Sequence, residues 1–394
     1  MSEAARSVRR VKILHTSDWH IGRTFHTHST LEHLRTVLAA LADAVREQGI
    51  DVVLVAGDVF DSSMPSAGAM TLFSDALRNI RDAGAKVVAT SGNHDSITRL
   101  GIHADWIRSS GFYVLTQHHR LDEPVTLEDE YGPVHFYGIP YLEPSLIRHD
   151  YPEAELRTHE QALAFAMGRI RADLEKRGGR SVVLSHCFTA DVAASDGVER
   201  DITSGGLDLV PASVFDGPDY VALGHIHGRA QLSERVRYSG APLHYSFSET
   251  DKLRGGWLVQ LDADGLGDVS WLDLPVPRRL RQLVGELHEL LGDPRFAAYE
   301  GDWVKAVLTD QLRPMDAMRR LHQRFPHCVA LEYKPSVTAD VTTATYGDRV
   351  KEKNDTEIVG EFLEFVRNGV GPSEYERGLV ADLFVEQDVR EVTA

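Results

Sequence analysis

Two rhythms alternate along the amino-terminal half of the chain. Short apolar runs at Val11 to Thr16, Val52 to Ala56, Lys86 to Thr90 and Ser181 to Leu184 have the length and β-branched content of buried strands. Between them Leu31, Leu34, Leu38, Leu41 and Val45, then Met70, Phe73, Leu77 and Ile80, recur in steps of three and four, the stripe of a helix buried on one side. Gly84 ends the second helix before the strand at Lys86. After an irregular middle region, the pattern predicts a strand over Val134 to Pro140, a helix from Glu160 to Arg177 and a short strand from Tyr220 to Leu223. Such alternation predicts an α/β sheet of parallel strands, and sheets of this kind hold ligands at their carboxyl edge.

Farther on the rhythm turns antiparallel, with Gly255 to Leu261 and Asp268 to Leu272 flanking an Asp-Gly turn. With helices outside, the expected architecture is a four-layer α/β/β/α sandwich. Pro275 and Pro277 mark a boundary. Beyond it the strand Val304 to Leu308, the helical Met315 to Phe325 and the strand Cys328 to Tyr333 predict a small α+β domain. From about Val350 the chain is acidic and helical, with Ile358, Phe362 and Phe365 and then Tyr375, Leu379 and Leu383 at helical spacing. That stripe either docks on the protein's own domains or lies in a partner's groove. The expected divisions are 1–275, 276–345 and 346–394.

Composition narrows the chemistry. Forty-two Lys and Arg against 59 Asp and Glu give 394 residues a formal charge of -17, which argues against a broad cationic surface for nucleic acid. A phosphate-bearing substrate would need metal ions or a basic partner. Cys187 and Cys328 form neither a disulfide framework nor a zinc pattern. The arginines at the amino terminus run straight into Val11 without an apolar signal segment, and no run approaches the ~18 apolar residues of a membrane span. A cytoplasmic protein is expected.

The predicted strands end in chemically able residues: Asp18 and His20, Asp58 and Asp61, Asn93, His94 and Asp95, His186, then His225 and His227. Each has a plainer reading alone. Gly57-Asp58 is a common turn or helix cap, Gly92 to Asp95 is a turn sequence, and a lone histidine such as His186 is more often structural. Recurrence at five strand ends is what turns do not explain. Extended spacing would put Asp18 and His20 on one side of the chain, and His225 and His227 likewise. Carboxylate, imidazole and amide oxygen together suit Mn²⁺, Fe²⁺ or Zn²⁺ better than Ca²⁺. Two neighbouring ions need a shared bridge, for which Asp58 is the candidate. Such a pair draws in a phosphate diester and activates water, leaving His94 to assist the departing alkoxide. Asp61 and Asp95 are expected to orient histidines or loops rather than bind metal. His28, His118, His119 and His159 fit no spacing and are assigned to the surface.

Asp18-x-His20, Gly57-Asp58-x-x-Asp61, Gly92-Asn93-His94-Asp95, His186 and Gly224-His225-x-His227 resemble the motifs of the calcineurin-like metallophosphoesterases, all present and in order. Within that superfamily His15 to Gly22, Gly57 to Asp61, Gly92 to Ser96 and Tyr238-Ser239-Gly240-Ala241-Pro242 are similar to the bacterial double-strand-break-repair nucleases. The resemblance spans nearly the whole chain, more loosely beyond Pro275. It implies one metal held by Asp18, His20, Asp58 and His227, a second held by Asp58, Asn93, His186 and His225, Mn²⁺ in both places, and His94 as the catalytic histidine. It implies 3′-to-5′ exonuclease action on duplex ends and endonuclease action on single strands or hairpins, in DNA repair, recombination and replication. It further implies a DNA-capping role for the small domain, docking of the tail on a coiled-coil ATPase, and a nuclease dimer within a heterotetramer. Some relatives carry histidine where Asp61 stands, which bears on the balance of the two activities. Two other functions fit the same residues: a phosphatase or cyclic-nucleotide phosphodiesterase, and a scaffold on an inactive phosphoesterase fold. The extra domain and tail argue against the first, and the complete ligand set against the second.

Overall fold

The structure, a computed structural model, describes residues 10–189, 209–335, 353–367 and 369–392. The chain divides into two compact units, Met1–Pro277 and Arg278–Ala394.

The first unit opens with β1 (Lys12–Thr16), a small hairpin of β2 (Thr24–Phe25) and β3 (His28–Ser29), and α1 (Leu31–Gln48). Next come β4 (Val52–Ala56), α2 (Ala67–Asp82), β5 (Lys86–Thr90), the short α3 (Ile97–Gly101) and α4 (Ala104–Ile107), and β6 (Phe112–Leu115). Then follow β7 (Val125–Asp129), β8 (Gly132–Ile139), α5 (Pro144–Ile147), α6 (His159–Arg177), β9 (Arg180–His186) and β10 (Tyr220–Gly224). The unit closes with β11 (Ala230–Gln231), β12 (Val236–Tyr238), β13 (Gly255–Asp262) and β14 (Gly265–Asp273).

Two six-stranded sheets result, ordered β14-β13-β1-β4-β5-β6 and β11-β12-β10-β9-β8-β7. Alternation within each strand explains their stacking. In β4, Val52 and Leu54 join Ile13, Val88, Phe136, Val182, Leu184 and Tyr220 in a core shared by the two sheets. Val53 and Val55 point the other way, onto Leu34, Leu38, Leu41 and Ile80 of α1 and α2. On the far side Leu163, Met167 and Ile170 of α6 cover Tyr137, Val183 and Val221. The order of layers is therefore α/β/β/α. Each fully buried valine or leucine contributes about 1.5–3 kcal/mol relative to exposure.

Local signals set the helix ends. Gly49, left-handed at φ 60°, terminates α1 with its N–H on Val45 O, and the Thr158–Gln161 capping box starts α6. Some elements depart from expectation. The middle region is less irregular than it reads: β6 pairs parallel with β5, and β7 pairs with β8. The segment after His227 is not wholly antiparallel, because β12 runs parallel to β10.

The second unit is built on a parallel three-stranded sheet, β15 (Leu280–Gly285), β16 (Trp303–Leu308) and β17 (Cys328–Tyr333), in that order. Helices α7 (Leu287–Gly292) and α8 (Ala317–Arg324) bury Leu287, Leu290 and Leu321 against Val304, Ala306 and Leu308. The helices Asp355–Val366 and Glu374–Val392 follow, tied by an Arg367–Glu376 ion pair at 2.7 Å. Phe365, Tyr375 and Leu383 stand exposed on them. Among the described residues no helix is long and apolar enough to cross a membrane.

Candidate metal centre

All the chemically able strand ends meet at one edge. β1, β4 and β5 run parallel in the first sheet, β9 and β10 run parallel in the second, and the loops leaving them converge. The loops after β1 and β4 lie side by side through Asp18 N to Gly57 O (3.1 Å), His20 N to Asp58 O (2.9 Å) and Ile21 N to Val59 O (3.0 Å). The sheets touch where His186 Nδ1 donates to Ala56 O across 3.0 Å. Gly224 permits that approach, since a Cβ there would stand 1.8 Å from Ala56 O.

The backbone at this edge is not extended. Asp18 (φ 52°), His20 (φ 43°), Asp58 (φ 46°) and His225 (φ 103°) all have positive φ, a conformation costing non-glycine residues roughly 1–2 kcal/mol each. Strand alternation is therefore not what aims these residues, although Asp18 and His20 do fall in one donor group. Left-handed turns aim them instead, and the two C-terminal histidines face different partners.

Two groups of donors share Asp58. On one side His20 Nε2 and His227 Nε2 are 3.1 Å apart. On the other, Asn93 Oδ1 lies 3.1 Å from His186 Nε2 and 3.3 Å from His225 Nδ1. Asp58 Oδ2 stands between, 3.5 Å from His20 Nε2 and 3.4 Å from His186 Nε2. Asp18 accepts from His225 N at 3.0 Å and also receives the Ser17 hydroxyl. Among the described residues the donor atoms of Asp18, His20 and His227 lie within 4.8 Å of one another, as do those of Asp18, Asp58 and His186 and those of His20, Asp58 and His94.

The proton inventory says what this arrangement wants. Ala56 O fixes one proton of His186 on Nδ1, so Nε2 is the nitrogen turned toward the Asn93 amide oxygen and the Asp58 carboxylate, where a cation can replace its second proton. Glu249 does the same for His227, accepting from Nδ1 at 3.2 Å. Two ligand nitrogens at about 2.1 Å from one ion are about 3 Å apart, the His20–His227 spacing. Converging lone pairs of this kind fit a divalent cation.

Electrostatics agree. Burial would raise the Asp58 carboxyl, but His186, His20 and His94 hold it well below the usual carboxylate range. Burial opposes charge on His186, yet Asp58 and Asp18 carry it up to about 9. A proton there takes the place of a cation. Burial and the neighbouring His186 push His225 down to about 3.

Supporting residues hold the loops. Asp95 accepts from the N–H groups of Val59 (3.0 Å), Phe60 (2.9 Å) and Gly92 (3.0 Å), clamping the loop after β4 to the loop after β5. Burial, and then Asp58, push its carboxyl up to about 6 against those bonds. Asp61 O accepts from His94 Nδ1 at 2.9 Å, and Asp61 Oδ1 lies 3.3 Å from His20 Nδ1, out of line for a hydrogen bond. His94 N donates to Asp58 Oδ1 at 2.9 Å, and its ring lines a cavity of about 680 Å³ over the donors.

Glu249 and Arg254 are invisible in the sequence reading. Both are fully buried and ion-paired, and Arg254 also donates to His227 O and to Ala241 O. No motif announces them: Glu249 arrives on a single helical turn more than twenty residues after His227. Of the histidines assigned to the surface, His28 and His119 are exposed while His118 is half-buried. His159 is buried at the start of α6, its ring 5.5 Å from that of Tyr141, which corrects its placement.

Parallel strands delivering a buried histidine–carboxylate cluster to a sheet edge define a metal-dependent hydrolase of the phosphoesterase class. The calcineurin-like phosphoesterase profile matches residues 11–229, more than half of the sequence, and the chain belongs to that family. Its members use a dinuclear metal site. Residues 276–367 match a second profile, SbcD_C, described as the type 5 capsule protein repressor C-terminal domain. Among solved structures, TT1561 of Thermus thermophilus is 15% identical, covering 67% of this chain and 99% of its own, with a TM-score of 0.38. A dimetal phosphatase from Danio rerio is 15% identical over 67% of this chain and 99% of its own, with a TM-score of 0.36. Purple acid phosphatase PPD1 from yellow lupin is 10% identical over 68% of this chain and 54% of its own, with a TM-score of 0.35. At such scores the assignment rests on the family profile.

Proposed function

We propose that this chain is an SbcD-like DNA nuclease subunit that hydrolyses phosphodiester bonds at a two-metal site. The observation that carries the reading is the union, in one chain, of histidine donors on either side of Asp58 with a second unit matching the SbcD_C profile. Asp18, His20, Asp58 and His227 would hold one ion, and Asp58, Asn93, His186 and His225 the other. Manganese suits this mixed oxygen and nitrogen set. When bound, the ions supply Lewis-acid polarisation of the phosphoryl oxygens and a water acidic enough to attack near neutral pH.

The chain's own residues do the rest. Asp58 is held by His94 N so that one oxygen remains between the two histidine groups. Because Asp61 O accepts the Nδ1–H of His94, Nε2 is left for the cavity, where it would pass a proton to the departing alkoxide. His94 is thus the catalytic histidine. Asp61 and Asp95 keep ring and loops in register.

The activity proposed is 3′-to-5′ exonuclease cleavage of duplex ends and endonuclease cleavage of single strands and hairpins, serving DNA repair, recombination and replication in the cytoplasm. Residues 276–345 would cap the DNA, and the tail from 346 onward would dock on an SbcC-like coiled-coil ATPase. Exposed Phe365 and Leu383 on the tail support that docking. A chain of net charge -17 gains its grip on DNA from such a partner. An apolar groove of about 620 Å³ lined by Met64, Met70, Phe73 and Leu77 supports pairing with a second copy within a heterotetramer.

A nuclease assay on hairpin and blunt duplex DNA, with Mn²⁺ or Mg²⁺ and with or without the ATPase and ATP, tests the reading. Metal-dependent cleavage stimulated by the partner is expected. Turnover of cyclic nucleotides with no cleavage of DNA refutes it.

A further inference from the structure

Arg23 brings a guanidinium into the wall of the metal cavity, three residues past His20. Gly22, at φ 103°, turns the chain, and Arg23 N donates to His20 O at 2.9 Å while Arg23 O accepts from Thr30 Oγ1 at 2.6 Å. Its backbone is therefore fixed at both ends. The guanidinium lies over the Tyr245 ring, 4.9 Å from the centroid. That ring is itself anchored, with its hydroxyl on Trp19 O at 3.0 Å and T-shaped contacts to the rings of His20 and His227.

Asp61 Oδ1 approaches Arg23 only to 3.6 Å, beyond hydrogen-bond length. No hydrogen bond links the Arg23 side chain to another described residue, although a guanidinium offers five donors. The buried arginines of this unit differ: Arg180 grips Asp129 and Gly132 O, and Arg254 grips Glu249 and two carbonyls. Arg23 is held by its backbone and by the Tyr245 ring, and its guanidinium makes no hydrogen bond among the described residues.

A stacked guanidinium with a carboxylate near one nitrogen and its fork free of hydrogen bonds among the described residues is suited to phosphate oxygens. We propose that Arg23 binds a non-bridging oxygen of the phosphate group brought to the metal centre. This inference rests on the phosphoesterase reading and names a substrate-binding residue within it. The chemistry is shared by nucleic-acid backbone and small phosphate esters, so both sources enter the test.

The experiment titrates inorganic phosphate calorimetrically into the full-length Mn²⁺-loaded protein and its Arg23→Gln and Arg23→Lys variants. In parallel, KM and kcat are recorded for bis(p-nitrophenyl) phosphate and for single-stranded DNA. Glutamine removes the charge and shortens the side chain, whereas lysine keeps the charge at comparable reach without the planar fork. Loss of a charge-assisted bond should weaken phosphate binding about 10- to 100-fold and raise KM similarly, with lysine intermediate. Bound Mn²⁺ and the melting temperature should not change. Unaltered phosphate affinity in Arg23→Gln, or a loss that follows loss of Mn²⁺ or of stability, overturns the proposal. So does a native Mn²⁺-loaded protein that binds no phosphate. Should the native protein cleave the small diester and not DNA, the nuclease reading fails while the calorimetry still judges Arg23. If DNA is cleaved equally by native and Arg23→Gln proteins, the Arg23 proposal fails alone.

Discussion

Replacing Glu249 with glutamine should damage metal binding and folding by separable amounts. The carboxylate is fully buried and divides its work: Oε1 accepts from His227 Nδ1 at 3.2 Å, while Oε2 takes Tyr245 N at 3.2 Å and the Arg254 guanidinium. Glutamine keeps an oxygen for His227 but turns a donor toward Arg254. Breaking a buried ion pair from one side costs about 3–5 kcal/mol, a large share of the roughly 5–15 kcal/mol that holds a domain together. The loss of negative charge behind His227 makes Nε2 a poorer ligand, and supporting carboxylates of this kind are worth about 10- to 100-fold in metal affinity. That range is about 1.4–2.7 kcal/mol. Calorimetric titration with Mn²⁺ and thermal melts, each on native and variant protein, read the two effects. Adding Arg254→Met removes the orphaned charge, so the double variant should regain part of its stability and none of its metal affinity. A Glu249→Gln protein that binds Mn²⁺ with native affinity would refute the reasoning, even if it melts earlier.

Asp58→Asn should lose both bound metal and hydrolysis, measured by metal content and diester turnover, whereas His94→Ala should keep its metal and lose about 10²–10⁴ in rate. Native turnover by the His94 variant would remove that residue from the mechanism. Asp129, gripped by Arg180, Val11 N (3.0 Å) and Tyr131 N (2.8 Å), is held below its ordinary value of 3.8 despite burial. Its contribution is present above that value and lost as pH falls through the lower folded one. Asp129→Asn should therefore cost about 3 kcal/mol at neutral pH, and denaturant melts of the two proteins should converge in acid. Deleting the chain after Val350 should leave hydrolysis of small diesters intact and abolish co-purification with the ATPase.

Much of the fold was legible because its strands are buried on both faces. Val52–Ala56 and Lys86–Thr90 begin and end where the apolar runs do, and α1 follows its leucine stripe. β7 was missed although Val125 and Leu127 alternate, since Glu128 and Asp129 disguise a half-exposed strand as loop. The candidate ligands were readable as strand ends, and the structure gathers Asp18, His20, Asp58, Asn93, His186, His225 and His227 about one cavity. How they are aimed was not readable, because local spacing cannot report a left-handed turn. Glu249, Arg254 and Arg23 stayed hidden for a different reason: their meaning lies in partners far along the chain or in a vacant hydrogen-bonding fork, neither of which has a sequence period.

The positive-φ positions at Asp18, His20, Asp58 and His225 set a direction for decay. Each would be more comfortable as glycine, by roughly 1 kcal/mol or more. Buried partners oppose that drift, since Asp58 holds His94 N and faces His186 while Asp18 accepts from His225 N, and losing such partners costs more than the backbone would recover. The centre is thus drawn taut, its backbone held off its own preference by contacts that only the assembled sheets supply.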